Sequence, residues 1–134
     1  MPNKAPTFHV EVEIERDVLS LLGAVRLFAK TANLSPLTAS RLMTVASELG
    51  TNLIKYATHG VVTGGFRQSD PKTIFIKAED KGPGITDLKA AMEDHFSTGG
   101  SMGVGLPGVK RLSDHFEIES ELGKGTLVLS EIHL

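Results

Sequence analysis

From Thr7 to Ile14 apolar and polar residues alternate strictly. Phe8, Val10, Val12 and Ile14 fall on one side, and His9, Glu11 and Glu13 on the other. A period of two predicts a half-buried strand. From Arg16 to about Ala32 the period lengthens. Val18, Leu19, Leu22, Val25 and Ala29 recur at steps of three and four, which predicts an amphipathic helix. Ser35 followed by Pro36 supplies a capping hydroxyl and a proline at the first helical position. Leu42, Val45, Ala46, Leu49 and Leu53 then carry an apolar stripe to about Ala57, with Gly60 placed to end the helix. Val61 to Phe66 and Thr73 to Ala78 predict two strands around the turn Arg67 to Pro71, the first weakened by Gly64 and Gly65. Asp87 is placed to cap a short helix through Asp94. Leu106 to Asp114 predicts another helix. Phe116 to Ser120 and Thr126 to Ile132 predict a hairpin turning at Gly123 and Gly125.

Strands and helices are clustered along the chain and do not alternate regularly. That favours an α+β two-layer sandwich: a mixed, mainly antiparallel sheet covered by helices on one face. The 134 residues, 1–134, make a single domain, large enough to bury a core without staples. A net charge of -2 argues against a nucleic-acid partner, which calls for a basic face. The absence of cysteine excludes disulfides and thiolate metal sites. No apolar run approaches the roughly 20 residues that span a bilayer, and the opening MPNKAPTFHV has no signal-peptide core. No membrane partner and a cytoplasmic location are the expectations. The histidines His9, His59, His95, His115 and His133 show no metal-ligand spacing.

Three short segments carry candidate chemistry. In ELGTN, Glu48 and Asn52 stand four residues apart on the second predicted helix and so point the same way. The Asn52 amide oxygen is a hard donor suited to magnesium, which takes few protein ligands and completes its shell with water and phosphate oxygens. The neighbouring Glu48 carboxylate can accept a proton from an attacking hydroxyl or orient it. Lys55, further along, is placed to reach phosphate oxygens. A solvated polar helix face gives the same pattern. In DKGPG, Asp80 follows an apolar strand and can accept a hydrogen bond from an exocyclic amine such as that of adenine, while the glycines allow close approach of a flat ring. An ordinary turn uses the same residues. GVGLPG, Gly103 to Gly108, reads as a phosphate-binding turn opening a helix, where backbone amides such as those near Gly103, Gly105 and Leu106 attract phosphate. No strand precedes it, which excludes the dinucleotide fingerprint, and no glycine-lysine-serine or glycine-lysine-threonine run makes it a Walker loop. Phe96 to Met102, rich in Ser, Thr and Gly, reads as a flap over a ligand. Gly123 to Thr126 is either a plain hairpin turn or a source of one more hydroxyl, from Thr126.

ELGTN, DKGPG, GVGLPG and GKGT, in that order, resemble the ATP-binding domain shared by gyrase-type ATPases, Hsp90, MutL and histidine kinases, the Bergerat fold, over about Glu48 to Thr126. The resemblance implies ATP and Mg2+ as cofactors, with Asn52 on magnesium and Asp80 on adenine. It implies that Gly82, Gly84, Gly103 and Gly105 shape the pocket and lid, and that Lys55, Ile85, Val104, Leu106 and Thr126 join the nucleotide contacts. The stretch MEDHFSTGGSMGVGLPGVKRLSDHFEI is similar to the free-standing bacterial serine/threonine kinases of partner-switching systems, and GLPGVKRLSD most to the stressosome switch kinases. Lys55 departs from that group toward the histidine kinases. Membership implies Glu48 as the catalytic acid/base, a serine or threonine of a STAS-domain protein as substrate, and a PP2C-type phosphatase regulator activated by binding. The alternative it implies is an anti-sigma factor kinase that binds a sigma factor directly.

Overall fold

The computed structural model describes residues 7–56, 59–82, 92 and 105–134. Its elements run β1 (Thr7–Val12), α1 (Glu15–Thr31), α2 (Pro36–Tyr56), β2 (Gly60–Phe66), β3 (Thr73–Asp80), α3 (Gly105–Leu112), β4 (His115–Glu121) and β5 (Gly125–His133). The predicted helix Asp87 to Asp94 and the flap Phe96 to Met102 lie outside the described residues, apart from Met92. So do Gly84, Ile85, Gly103 and Val104.

The strands form one sheet in the order β1-β2-β3-β5-β4. All four pairings are antiparallel, so the sheet is not mixed among the described residues. The period-two alternation sends Phe8, Val12, Val62, Ile74, Ile76, Ala78, Val128 and Ile132 to one buried face. There they join Leu21, Val25, Phe28, Leu42, Val45, Leu49 and Leu53 from the helices in a single core. Each valine, leucine, isoleucine or phenylalanine among them contributes about 1.5–3 kcal/mol on burial.

Local chemistry fixes the helix ends. The Asp17 carboxylate accepts the backbone N–H groups of Glu13 and Ile14 at 2.9 and 3.1 Å, and these bonds hold its pKa below the usual value. At the other end Asn33 adopts φ 54°, the Leu34 N–H donates to Ala29 O and the Asn33 N–H to Lys30 O. That is a Schellman stop, built on asparagine in the left-handed region. Ser35 Oγ accepts the Thr38 N–H at 3.2 Å and caps α2, as its sequence predicts.

Four expectations need correction. Ile14 is not the last residue of β1: it is the residue before α1 and is 50% exposed. The buried stripe of α1 is Leu21, Val25, Phe28 and Ala29, while Leu19 points outward at 70% exposure. Gly60 does not stop α2. It opens β2, where a Cβ would lie 2.4 Å from Leu53 Cδ2. Gly64 does not weaken β2, which pairs on both sides; it makes room for Phe8, whose Cζ a Cβ would meet at 2.2 Å. Phe8 in turn meets the Phe28 ring edge-on at 5.6 Å, a favourable aromatic geometry.

Candidate nucleotide site

One side of α2, the ends of β3 and β5, and the start of α3 converge on a narrow cleft. Leu49, Asn52, Leu53, Ala78, Asp80, Leu106, Thr126 and Val128 line it, around a volume of about 20 Å³. The register explains the convergence. Glu79 pairs with Leu127, so Asp80 and Thr126 emerge beside each other where adjacent strands end. Helix α2 crosses above them and contributes Asn52 one turn after Glu48.

The ELGTN segment divides three ways around α2. Leu49 and Leu53 pack into the core and cleft floor. Gly50 faces α1, where a Cβ would lie 3.1 Å from Leu21 Cδ2. Glu48 is buried to 2% exposure, so a solvated polar face does not describe it. Asn52 Nδ2 is buried and has no hydrogen-bond partner. A buried, unsatisfied amide costs about 1–3 kcal/mol, and amide nitrogen and oxygen exchange places by a simple flip. The side chain is thus placed to turn either a donor or a hard oxygen toward a ligand.

Asp80 is held by its own turn: Gly82 N–H donates to Asp80 Oδ1 at 2.8 Å. This leaves the second carboxylate oxygen to accept from a ligand. Thr126 Oγ1 lies 2.7 Å from Ser120 Oγ, its cross-strand neighbour on β4. Gly125, at φ +113°, lets the start of β5 press against the backbone at Asp80; an added Cβ would lie 2.1 Å from Asp80 O. Leu106, buried on α3, forms an apolar wall. Apolar walls with a few fixed polar groups are the chemistry that recognises an aromatic base, while the volume of about 20 Å³ admits no more than about one water.

The structure therefore gathers Asn52, Asp80, Leu106 and Thr126 around one cleft, with Gly82 supporting Asp80. Gly105 opens α3 at φ +54° next to Leu106. Lys55 is exposed on the last turn of α2 and does not line the cleft. Among the described residues no three acidic, histidine or cysteine side chains cluster to hold a metal ion; the Asn52 amide lining the cleft is a hard oxygen donor. Such a single donor fits an ion that completes its shell with phosphate oxygens and water. Sequence reasoning placed Gly125 in a turn but missed its close approach to Asp80, and it missed the roles of Ser120 and Gly50. Positive φ and close backbone approach are invisible in a string, although the glycine pair flanking Lys124 was a signal for the first. No described helix is long and apolar enough to cross a membrane.

Residues 38–134 match the family described as histidine kinase-, DNA gyrase B-, and HSP90-like ATPase. The chain is 41% identical to the serine/threonine-protein kinase RsbT of Bacillus subtilis (strain 168) over 120 residues, 87% of this chain and 89% of that protein. It is 31% identical to the anti-sigma F factor of Heyndrickxia coagulans, over 82% of this chain and 81% of that one. Among solved structures, a chain of the SiaB-SiaC complex from Pseudomonas aeruginosa superposes with a TM-score of 0.67, covering 94% of this chain and 88% of that chain; at 15% identity the likeness is one of fold.

Proposed function

The chain belongs to the histidine kinase-, DNA gyrase B- and HSP90-like ATPase family and is an ATP-dependent protein serine/threonine kinase, and from that premise we propose that it phosphorylates a STAS-domain protein in a bacterial partner-switching pathway of stress or sigma-factor control. The proposal includes a cytoplasmic location, a stressosome-type switch as its setting, and activation of a PP2C-type phosphatase by direct binding. The observation that supports the mechanism is Asn52, whose buried, unpartnered amide nitrogen lines a cleft with Asp80 and Thr126 one turn after buried Glu48 on α2.

Each residue has a separable task. The Asp80 carboxylate accepts from the amino group of adenine, and Thr126 supports that end of the base. Asn52 would hold Mg2+, which supplies charge neutralisation on the phosphates. Glu48 accepts the proton of the acceptor hydroxyl as that oxygen bonds to the γ-phosphorus, and the bond from γ-phosphorus to the oxygen retained by ADP breaks. Positioning and electrostatics are the main demands of phosphoryl transfer, and burial of Glu48 keeps bulk water from competing for the proton. Leu49 and Leu53, packed on either side, fix the turn of helix that presents both polar groups.

The test is transfer of labelled phosphate from Mg-ATP to STAS-domain proteins encoded nearby. Glu48→Gln should keep nucleotide affinity and lose at least about 100-fold in transfer, the usual scale for a general base. Asn52→Ala should lose magnesium-dependent binding as well, and chelation of magnesium should stop transfer. Undiminished transfer by Glu48→Gln removes its role as base. The likeness to anti-sigma F factor supports a second reading, in which the chain binds a sigma factor directly. Pull-down with a sigma factor, a phosphatase and a STAS protein in parallel separates the two.

A further inference from the structure

We propose that Arg41 is a positioning residue for the nucleotide, an inference that rests on reading the first turn of α3 as a phosphate site. Arg41 sets where α3 sits along α2, and so the gap between Asn52 and the backbone amides that open α3. Arg41, Val45, Glu48 and Asn52 follow at steps of four, three and four, so they share one side of α2. Helix α3 packs against α2, and two points fix its direction. At one end the Arg41 guanidinium donates to Leu112 O at 2.6 Å, at the last residue of α3. At the other, Leu106 lines the cleft together with Asn52. The two helices therefore run antiparallel, and Arg41 holds the end of α3 that lies away from the cleft.

Leu112 O is one of the last carbonyls of α3, which have no partner within the helix itself. Arg41 supplies a donor, and its charge suits the negative end of the helix dipole. The same guanidinium lies 3.6 Å from Asp114. Asp114 is fastened to β5 in its turn: its N–H donates to Glu131 O at 2.8 Å, and its carboxylate accepts the His133 N–H at 2.7 Å. Ser113 adds bonds to Val109 O and to the Ser130 hydroxyl. The C-terminal end of α3 is thus tied to the sheet and, through Arg41, to the helix that carries Glu48 and Asn52.

The 8 residues of α3 span only about 12 Å, so a shift at Leu112 carries through to Gly105 and Leu106. Phosphates held by the amides there must meet a magnesium ion held by Asn52 at one separation. A misplacement of about 1 Å can cost about 100-fold in rate. The base end of the cleft is less exposed to such a shift, because Asp80 and Thr126 stand on β3 and β5 and not on either helix. Loss of Arg41 should therefore fall on the phosphates far more than on the base.

Calorimetry of adenosine and of Mg-ATP binding to the full chain is the test. The wild type should bind Mg-ATP the more tightly, and the ratio of the two affinities measures what the phosphates add. Arg41→Met should lower that ratio at least about tenfold and leave adenosine affinity almost unchanged. Arg41→Lys keeps a donor for Leu112 O without the planar fork and should fall between. It carries the test alone if circular dichroism shows Arg41→Met unfolded. Phe28→Leu is the control: its ring packs on Phe8 and Phe66 at centroid distances of 5.6 and 5.4 Å, so the urea midpoint should fall and the ratio should hold. A ratio kept in the Arg41 variants overturns the proposal and leaves the phosphate site standing. Equal losses for adenosine and Mg-ATP overturn it in favour of a purely structural arginine, as does a ratio that falls as far in Phe28→Leu. A wild type that binds adenosine and Mg-ATP equally removes the phosphate site itself, and the proposal with it.

Discussion

Gly123 and Gly125 lie two residues apart in one hairpin, yet replacing each with alanine should have different consequences. Gly123 has φ +79°, and a Cβ there meets nothing within 4 Å. Left-handed strain of about 1–2 kcal/mol, offset in part by about 0.4–1 kcal/mol from stiffening the unfolded chain, leaves a net loss of about 1 kcal/mol. Gly125 has φ +113°, and a Cβ would lie 2.1 Å from Asp80 O and 2.8 Å from Asp80 C and Lys81 Cα. All three neighbours are backbone atoms, which no rotamer change can move. Strain of about 1–3 kcal/mol then adds to an overpacking cost of about 1–3 kcal/mol, and a net loss of about 3 kcal/mol follows after the same offset. Far-UV circular dichroism in urea is the assay, since the chain has no tryptophan and one tyrosine. With a slope of about 1.5 kcal/mol per molar urea, the midpoint should fall by about 0.7 M for Gly123→Ala and about 2 M for Gly125→Ala. Only the second should also weaken ATP binding under conditions where both variants are folded, because only it displaces Asp80. Midpoints that fall by the same amount refute the close approach of β5 to Asp80.

Three further outcomes follow. Asp80→Asn can still accept the Gly82 N–H, so the urea midpoint should hardly move while ATP affinity by calorimetry falls at least about tenfold, a change of about 1.4 kcal/mol; unchanged affinity removes Asp80 from the base site. Arg41→Met removes the guanidinium that donates to Leu112 O at 2.6 Å and lies 3.6 Å from Asp114, and should cost about 1–2 kcal/mol in urea unfolding. Asp114 is held below the usual carboxylate range, first by the His133 N–H and then by Arg41, so its contribution to stability is complete above about pH 4 and is lost as pH falls through its lowered pKa; Asp114→Asn should flatten the fall in urea midpoint between about pH 5 and about pH 3.

Much of the fold was legible because periodicity records burial directly. The α2 stripe Leu42, Val45, Ala46, Leu49 and Leu53 is buried throughout, and every described strand was anticipated to within two residues. The α1 stripe was misjudged because that helix carries more leucines than its core face can take, and nothing local distinguishes Leu19 from Leu21. The roles of Gly60 and Gly64 depend on Leu53 and Phe8, residues distant in sequence, so composition alone suggested weakness where the fold has tight packing. Asn52, Asp80, Leu106 and Thr126 were named from spacing and resemblance, and the described structure brings them to one cleft. The burial of Glu48 could not be read, because an acid between apolar residues on a helix is usually solvated. Lys55 was named from its charge and its place beyond Glu48 on α2, and the structure sets it exposed on the last turn of that helix.

Strand β5 is fifth of the strands in sequence but lies fourth across the sheet, bonded on one side to β3 and on the other to β4. Strands β1, β2 and β3 follow one another across the sheet and can pair as they leave the ribosome. Strand β4 has no partner until residues 125–133 exist, and β3 keeps an open edge until then. The β3–β5 and β5–β4 pairings and the Asp80–Thr126 end of the cleft therefore form together, once residues 125–133 are made. A nascent chain stalled before that point has Asp80 without the neighbouring strand, so the cleft that we propose for adenine lacks Thr126 and Val128.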